Sequence, residues 1–177
     1  ILSDGGRSMV ALERIDEVLR EKEEEDAPGA ISPDLSGDIV FDRVSFRYDG
    51  GQDVLDGLSF TIRAGETVAV LGGTGSGKST IALLLQRMYA PTAGKITIGG
   101  HDISQVARHH LRSRVGLILQ EPFLYSKTLY ENLRIAAPRA SREAVEQAAR
   151  DAQAYDFIVQ SEKGWDTLVG ERGVTLS

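Results

Sequence analysis

Eight consecutive residues, Gly72-Gly73-Thr74-Gly75-Ser76-Gly77-Lys78-Ser79, constrain the fold of this chain more than any other stretch. Before them lies a short, continuously apolar run, Thr67-Val68-Ala69-Val70-Leu71, of the kind buried on both faces of a parallel sheet. After them the pattern turns helical, from about Lys78 to Tyr89. The chain must therefore pass from strand to helix through a loop rich in glycine. Glycine takes left-handed backbone angles that other residues avoid, so such a loop can turn several N–H groups toward one point.

The spacing Gly72-x-x-x-x-Gly77-Lys78-Ser79 is the P-loop pattern, a nest of main-chain donors at a helix N-terminus that suits a polyphosphate. Gly73, Thr74, Gly75, Ser76 and Gly77 would supply the cradle. Lys78 would reach the β- and γ-phosphates as a mobile point charge, and Ser79 offers a hard oxygen to a small octahedral cation, Mg2+. Thr80 can add a hydroxyl to the α-phosphate. A structural glycine turn with no ligand is the bland alternative, and the order of strand, loop and helix weighs against it. ATP with magnesium is the expected ligand.

From Ser8 to about Glu24, the apolar residues Met9, Leu12, Ile15, Val18 and Leu19 recur at helical spacing. Either a docked amphipathic helix or a connector from another domain fits that face. The charge run Arg20 to Asp26 and the breakers Ala27-Pro28-Gly29 and Ser32-Pro33 then predict an exposed linker, with the compact domain beginning near Ser36-Gly37. Ile39 to Phe41, Val44 to Tyr48 and Leu58 to Ile62 read as strands of an antiparallel β layer. A strand is expected at Lys95 to Ile98, a turn at Gly99-Gly100, and a second buried strand at Val115 to Leu119 that ends at Gln120. Beyond Pro122 the pattern is helical near Leu129 to Ile135, Ser141 to Ala152 and Tyr155 to Gln160. The fold class is α/β: a P-loop NTPase core with an antiparallel β layer and a helical lobe.

The formal charge of −6 and pI near 5.1 supply no basic field for nucleic acid. With no cysteine, disulfides and thiolate zinc sites are excluded. No apolar run approaches the roughly 18 residues needed to cross a bilayer. His101, His109 and His110 lack a ligand spacing, and Trp165 reads as lobe packing.

With the loop in place, the chain from about Gly37 onward resembles the nucleotide-binding domain of ATP-binding-cassette (ABC) proteins, and within them the exporter-type transporters. Tyr48 stands where that family stacks an aromatic ring on adenine, although the residue alone reads as a half-buried strand aromatic. Val54, in the stretch Val54-Leu55-Asp56-Gly57-Leu58-Ser59-Phe60, is a weaker candidate for the same pocket. Gln120 resembles the family's Q-loop glutamine, which touches magnesium or the attacking water; the catalytic candidates are thus Lys78 and Gln120, and the metal candidates Ser79 and Gln120. Glu121 is given no role as base. Pro122 to Leu133 resembles the exporter surface that receives membrane-domain helices, and Gly170-Glu171-Arg172-Gly173 the exporter motif before the signature sequence.

The sequence ends at Leu176-Ser177, where the family continues into its signature motif, with no Walker B aspartate, following glutamate or switch histidine. The resemblance implies a domain split into a connector and linker from a membrane domain (1–36), a core (about 37–121) and a helical lobe (about 122–177). It further implies ATP binding without useful turnover by these residues alone, since phosphoryl transfer depends on placement of metal and water. In a parent protein it implies an ATPase with a second nucleotide-binding domain as partner, Ser177 acting in trans, and a transmembrane domain, expected in the same polypeptide, at the cytoplasmic face of the membrane. Two other readings stay open: a soluble ABC-type ATPase working on DNA or ribosomes, and a nucleotide-binding regulatory module that never hydrolyses ATP.

Overall fold

A computed structural model describes residues 14–16, 19–21, 23–119 and 123–170. They fall into two units, one up to Leu117 and one from Ile118.

The first unit is built on an antiparallel sheet. Strand β1 (Ile39–Arg47) pairs with β2 (Asp53–Ile62) on one edge and β3 (Ala93–Ile98) on the other, and β3 turns at Gly99-Gly100 into the short β4 (His101–Asp102), giving the order β2-β1-β3-β4. Phe41 faces Phe60 on β2 and Ile96 on β3. The two strands expected at 39–41 and 44–48 are one strand with a bulge. Arg43 has φ 49°, and the extra residue shifts the alternation so that Phe41, Val44 and Phe46 are all buried. Gly94 makes the bulge possible from across the ladder, because a Cβ there would lie 2.2 Å from the Arg43 carbonyl oxygen.

The buried face of the sheet packs with Leu84 of helix α1 (Lys78–Leu85) and with Ile103, Val106 and Leu111. Helix α1 is shorter than the expected span to Tyr89, because the chain turns out of it at Gln86 and Arg87 takes φ 52°. The Gln86 side chain, 5% exposed, donates to the Val115 carbonyl.

The expected buried strands at Thr67 to Leu71 and Val115 to Leu119 are not regular strands. Val70 is 46% exposed, Leu71 92%, and Ile118 96%. Apolar, β-branched composition favours a strand, but a parallel strand obtains its hydrogen bonds only from neighbours along its edges. Among the described residues neither stretch has such a neighbour.

The segment expected as an exposed linker is largely exposed, and it is also tied down by hydrogen bonds. Glu24 takes a fork of hydrogen bonds from Arg112 at 2.6 and 3.0 Å, and Asp26 accepts from the Arg108 amide at 2.9 Å, both on helix α2 (Arg108–Arg114). Ile31 bridges Gln105 and Ala107 through its backbone, and the His110 ring shares a 2.7 Å hydrogen bond with the Pro33 carbonyl. Sequence distance hid these contacts, which join residues roughly 75 to 90 positions apart. Of the amphipathic stretch before it, residues 14–16 and 19–20 are helical, with Ile15 and Leu19 exposed. Met9 and Leu12 lie outside the described residues, as does Val18.

The second unit is helical. Helix α3 (Leu129–Arg134) starts with a capping box in which Thr128 accepts from the Glu131 amide at 3.1 Å and Glu131 accepts from the Thr128 amide at 3.0 Å. That bond from Thr128 holds the Glu131 carboxyl below its usual range. Helix α4 (Arg142–Asp151) is capped by Ser141, as its sequence predicts, and α5 (Tyr155–Gln160) follows. Their core is Leu129, Val145, Ala149, Ile158, Trp165 and Val169. Trp165 packs there between Tyr130 and Tyr155, with the Arg142 guanidinium over its ring.

Candidate nucleotide site

The glycine loop enters α1 through Gly77, whose φ of 84° and ψ of 7° place it in the left-handed region. Gly75 has φ 81°. Gly77 is also sterically committed: a Cβ would lie 2.8 Å from the Leu55 Cδ2 and 3.2 Å from the Val54 carbonyl. By contrast, a Cβ on Gly73 or Gly75 would meet nothing within 4 Å. The underside of the loop is packed against β2 while its upper side is open, which is the shape an anion cradle needs.

Lys78 folds back over the loop, donating to the Gly72 and Gly73 carbonyls at 2.8 and 2.6 Å and to Ser76 Oγ at 3.5 Å. All three acceptors are neutral oxygens of the loop itself. A charged acceptor would add Coulomb attraction to hydrogen bonds whose donor is already ionised. Ser79 stands at the start of α1, where its hydroxyl can serve a cation. Thr80 is buried at 4% exposure, and its Oγ1 lies 3.2 Å from the Tyr48 hydroxyl, so a role toward an α-phosphate would require that bond to be shared or exchanged. Tyr48, 37% exposed, follows directly on β1, and Val54 is half-buried on β2.

Tyr48, Val54, Gly75, Ser76, Gly77, Lys78, Ser79 and Thr80 border one open depression of about 220 Å³. The structure thus brings together the ring and the phosphate loop, separated by 32 residues at the Tyr48–Thr80 bond. Gly73 and Thr74 belong to the same loop but do not border the depression. Gln120 lies outside the described residues, as do Glu121, Pro122, Glu171, Arg172, Gly173 and Ser177. A larger cavity of about 350 Å³, bordered by Tyr89, Ile96, Ile103 and Arg108, contains none of the loop residues. The chemistry favours the smaller one, bordered by Lys78, by the hydroxyl-bearing Tyr48, Ser76, Ser79 and Thr80, and by the left-handed Gly75 and Gly77.

Sequence reasoning missed Leu55, which supports Gly77 from beneath, and Tyr89, whose ring centroid lies 5.2 Å from that of Tyr48. Neither has a local signature, since each is an ordinary hydrophobic or aromatic residue until the fold places it.

A model of the family described as ABC transporter matches residues 55–177. The chain belongs to the ABC transporter family. Among ABC relatives it is 40% identical over 169 residues to the alpha-hemolysin translocation ATP-binding protein HlyB of Escherichia coli O157:H7, covering 95% of this chain and 24% of that protein. It is 41% identical over 176 residues to the cyclolysin secretion/processing ATP-binding protein CyaB of Bordetella pertussis, covering 99% of this chain and 25% of that one. The fold is also that of a solved bacterial Atm1-family ABC exporter with ATP bound, at TM-score 0.82 and 38% identity over 97% of this chain and 30% of the other. The P-loop fold with an antiparallel layer, which the family resemblance implies to be that of an ABC ATPase, is therefore the fold found. The chain spans about a quarter of the length of these two relatives.

Proposed function

We propose that this chain is the ATP-binding part of an ABC exporter, in which nucleotide binding and hydrolysis drive transport across a membrane. The carrying observation is that Tyr48 borders the same depression as Lys78, Ser79 and the left-handed Gly75 and Gly77. A base would stack on the Tyr48 ring, and a triphosphate would lie over the loop amides. Lys78 would leave the Gly72 and Gly73 carbonyls for the β- and γ-oxygens. Ser79, with Gln120, would hold Mg2+, which when bound neutralises charge between those oxygens. Relatives named for translocation and secretion, and a solved exporter of the same fold that carries bound ATP, support the reading.

Hydrolysis is assigned to the full-length protein, acting with a second nucleotide-binding domain and with a transmembrane domain, proposed to share its polypeptide, at the cytoplasmic face of the membrane. These 177 residues alone are proposed to bind without useful turnover. The proposed division is a connector and linker over 1–36, a core over 37–121 and a helical lobe over 122–177. Phe123 and Tyr125, 64% and 48% exposed, lie on the stretch proposed to meet the membrane domain. The exposed apolar stretches at Val68 to Leu71 and Ile118-Leu119 are proposed to become central strands when paired with further strands.

Titration calorimetry with Mg-ATP on the chain and on Lys78→Ala tests the binding step. Removing charge-assisted hydrogen bonds of about 1.5–3 kcal/mol should weaken affinity roughly 10- to 100-fold. Equal binding by the two proteins would remove Lys78, and with it the phosphate-loop reading.

A further inference from the structure

We propose that Tyr89 is a positioning residue for nucleotide selection: it fixes the rotation of the Tyr48 ring and so sets how strongly the site prefers a base-bearing triphosphate. The inference rests on the reading of Tyr48 as the base platform.

Tyr48 is held at its stem and its tip. Its carbonyl accepts from the Gly51 amide at 2.9 Å, closing the turn after β1, and its hydroxyl lies 3.2 Å from Thr80 Oγ1. Both restraints leave one motion free. The hydroxyl oxygen sits on the axis through Cβ and Cζ, so a hydrogen bond there exerts almost no torque about that axis. The side-chain torsion about it is intrinsically broad. Yet this rotation decides where the π face points, and stacking depends on the face.

Only lateral contacts resist it. The Phe46 ring lies 4.8 Å away at 86° to Tyr48, and the Tyr89 ring 5.2 Å away at 87°. Phe46 and Tyr89 are themselves inclined by 52°. A plane perpendicular to one ring can still swing, whereas a plane perpendicular to two mutually inclined rings has a single direction. Phe46, 3% exposed, is fixed in the core, and Tyr89 supplies the second constraint. Tyr89 lies just past the C-terminal end of α1, the helix whose first turn carries Lys78 and Ser79. The base platform is thus oriented from the far end of the helix that opens the phosphate loop.

The test compares affinity for Mg-ATP with that for magnesium inorganic triphosphate in the full chain and in Tyr48→Leu, Tyr89→Leu and Tyr89→Phe. Tyr48→Leu should abolish the preference for ATP. Tyr89→Leu should reduce it about two- to tenfold, the worth of an oriented aromatic pair, with triphosphate affinity unchanged, and Tyr89→Phe should retain it. A parent-like preference in Tyr89→Leu overturns the proposal, as does a parallel loss for both ligands or a Phe variant as poor as Leu. If Tyr48→Leu itself keeps the preference, the platform reading has failed and takes this inference with it. In the unaltered protein, NMR signals of the Tyr89 ring should shift with Mg-ATP and stay in place with triphosphate; equal responses to both would also overturn it.

Discussion

Gly77→Ala should damage stability and phosphate binding together. Holding alanine at φ 84° in a left-handed conformation costs about 1–2 kcal/mol. Its methyl would also lie 2.8 Å from Leu55 Cδ2 and 3.2 Å from the Val54 carbonyl. Leu55 is only 7% exposed and belongs to the main core, so it has little room to yield. Overpacking of this kind costs about 1–3 kcal/mol. The sum, roughly 2–5 kcal/mol, is a large part of the roughly 5–15 kcal/mol that stabilises an ordinary domain. Any relaxation that spares the core must rotate the loop out of its left-handed turn and swing the amides at the helix start away from an anion. Denaturant unfolding gives the first quantity, and titration with inorganic triphosphate the second. Gly73→Ala is the control: its Cβ meets nothing within 4 Å, and stability should stay within about 0.5 kcal/mol of the parent. A Gly77→Ala protein with the parent's unfolding midpoint and triphosphate affinity would refute the claim that this glycine is committed by both angle and packing.

Three further outcomes can be checked. The sole tryptophan, Trp165, packs in the helical core, so its fluorescence reports that unit; Ile158→Ala, removing a side chain 1% exposed, should lower stability by about 2–5 kcal/mol, and an unmoved fluorescence transition would contradict the packing. Thr128→Ala removes the cap of α3 and should cost about 0.5–2 kcal/mol in the same assay, with no loss counting against the capping box. The hydrogen bond from Arg112 holds the Glu24 carboxyl below its ordinary value of 4.5, against an opposing effect of burial. The contribution is therefore present above pH 4.5 and lost as pH falls through the depressed folded value. Glu24 is half exposed, so Glu24→Gln should lower stability at neutral pH by no more than about 1 kcal/mol. The difference should close on acidification, and a difference independent of pH would exclude the ion pair as its cause.

Some of this protein was written locally and could be read without its fold. The glycine spacing from Gly72 to Ser79 predicts a loop with left-handed turns, found at Gly75 and Gly77, and Ser141 predicts a helix start by a side chain that reaches its own neighbours' amides. The antiparallel layer was legible for a similar reason, because alternation and the Gly99-Gly100 turn act within a few residues. What tertiary structure decided depends on partners far along the chain. Apolar composition at Thr67 to Leu71 favours a strand but cannot supply the neighbouring backbone that makes one, and those residues stand exposed and irregular. The charge run before Ala27 is polar enough to be a solvated linker, yet Arg108 and Arg112 capture it from 82 and 88 residues away. The hydroxyl contact between Tyr48 and Thr80 and the ring of Tyr89 beside them follow the same rule. Local chemistry fixes how a phosphate can be held, and only the folded chain carries the Tyr48 ring, which the family resemblance names, to the loop and sets Tyr89 beside it.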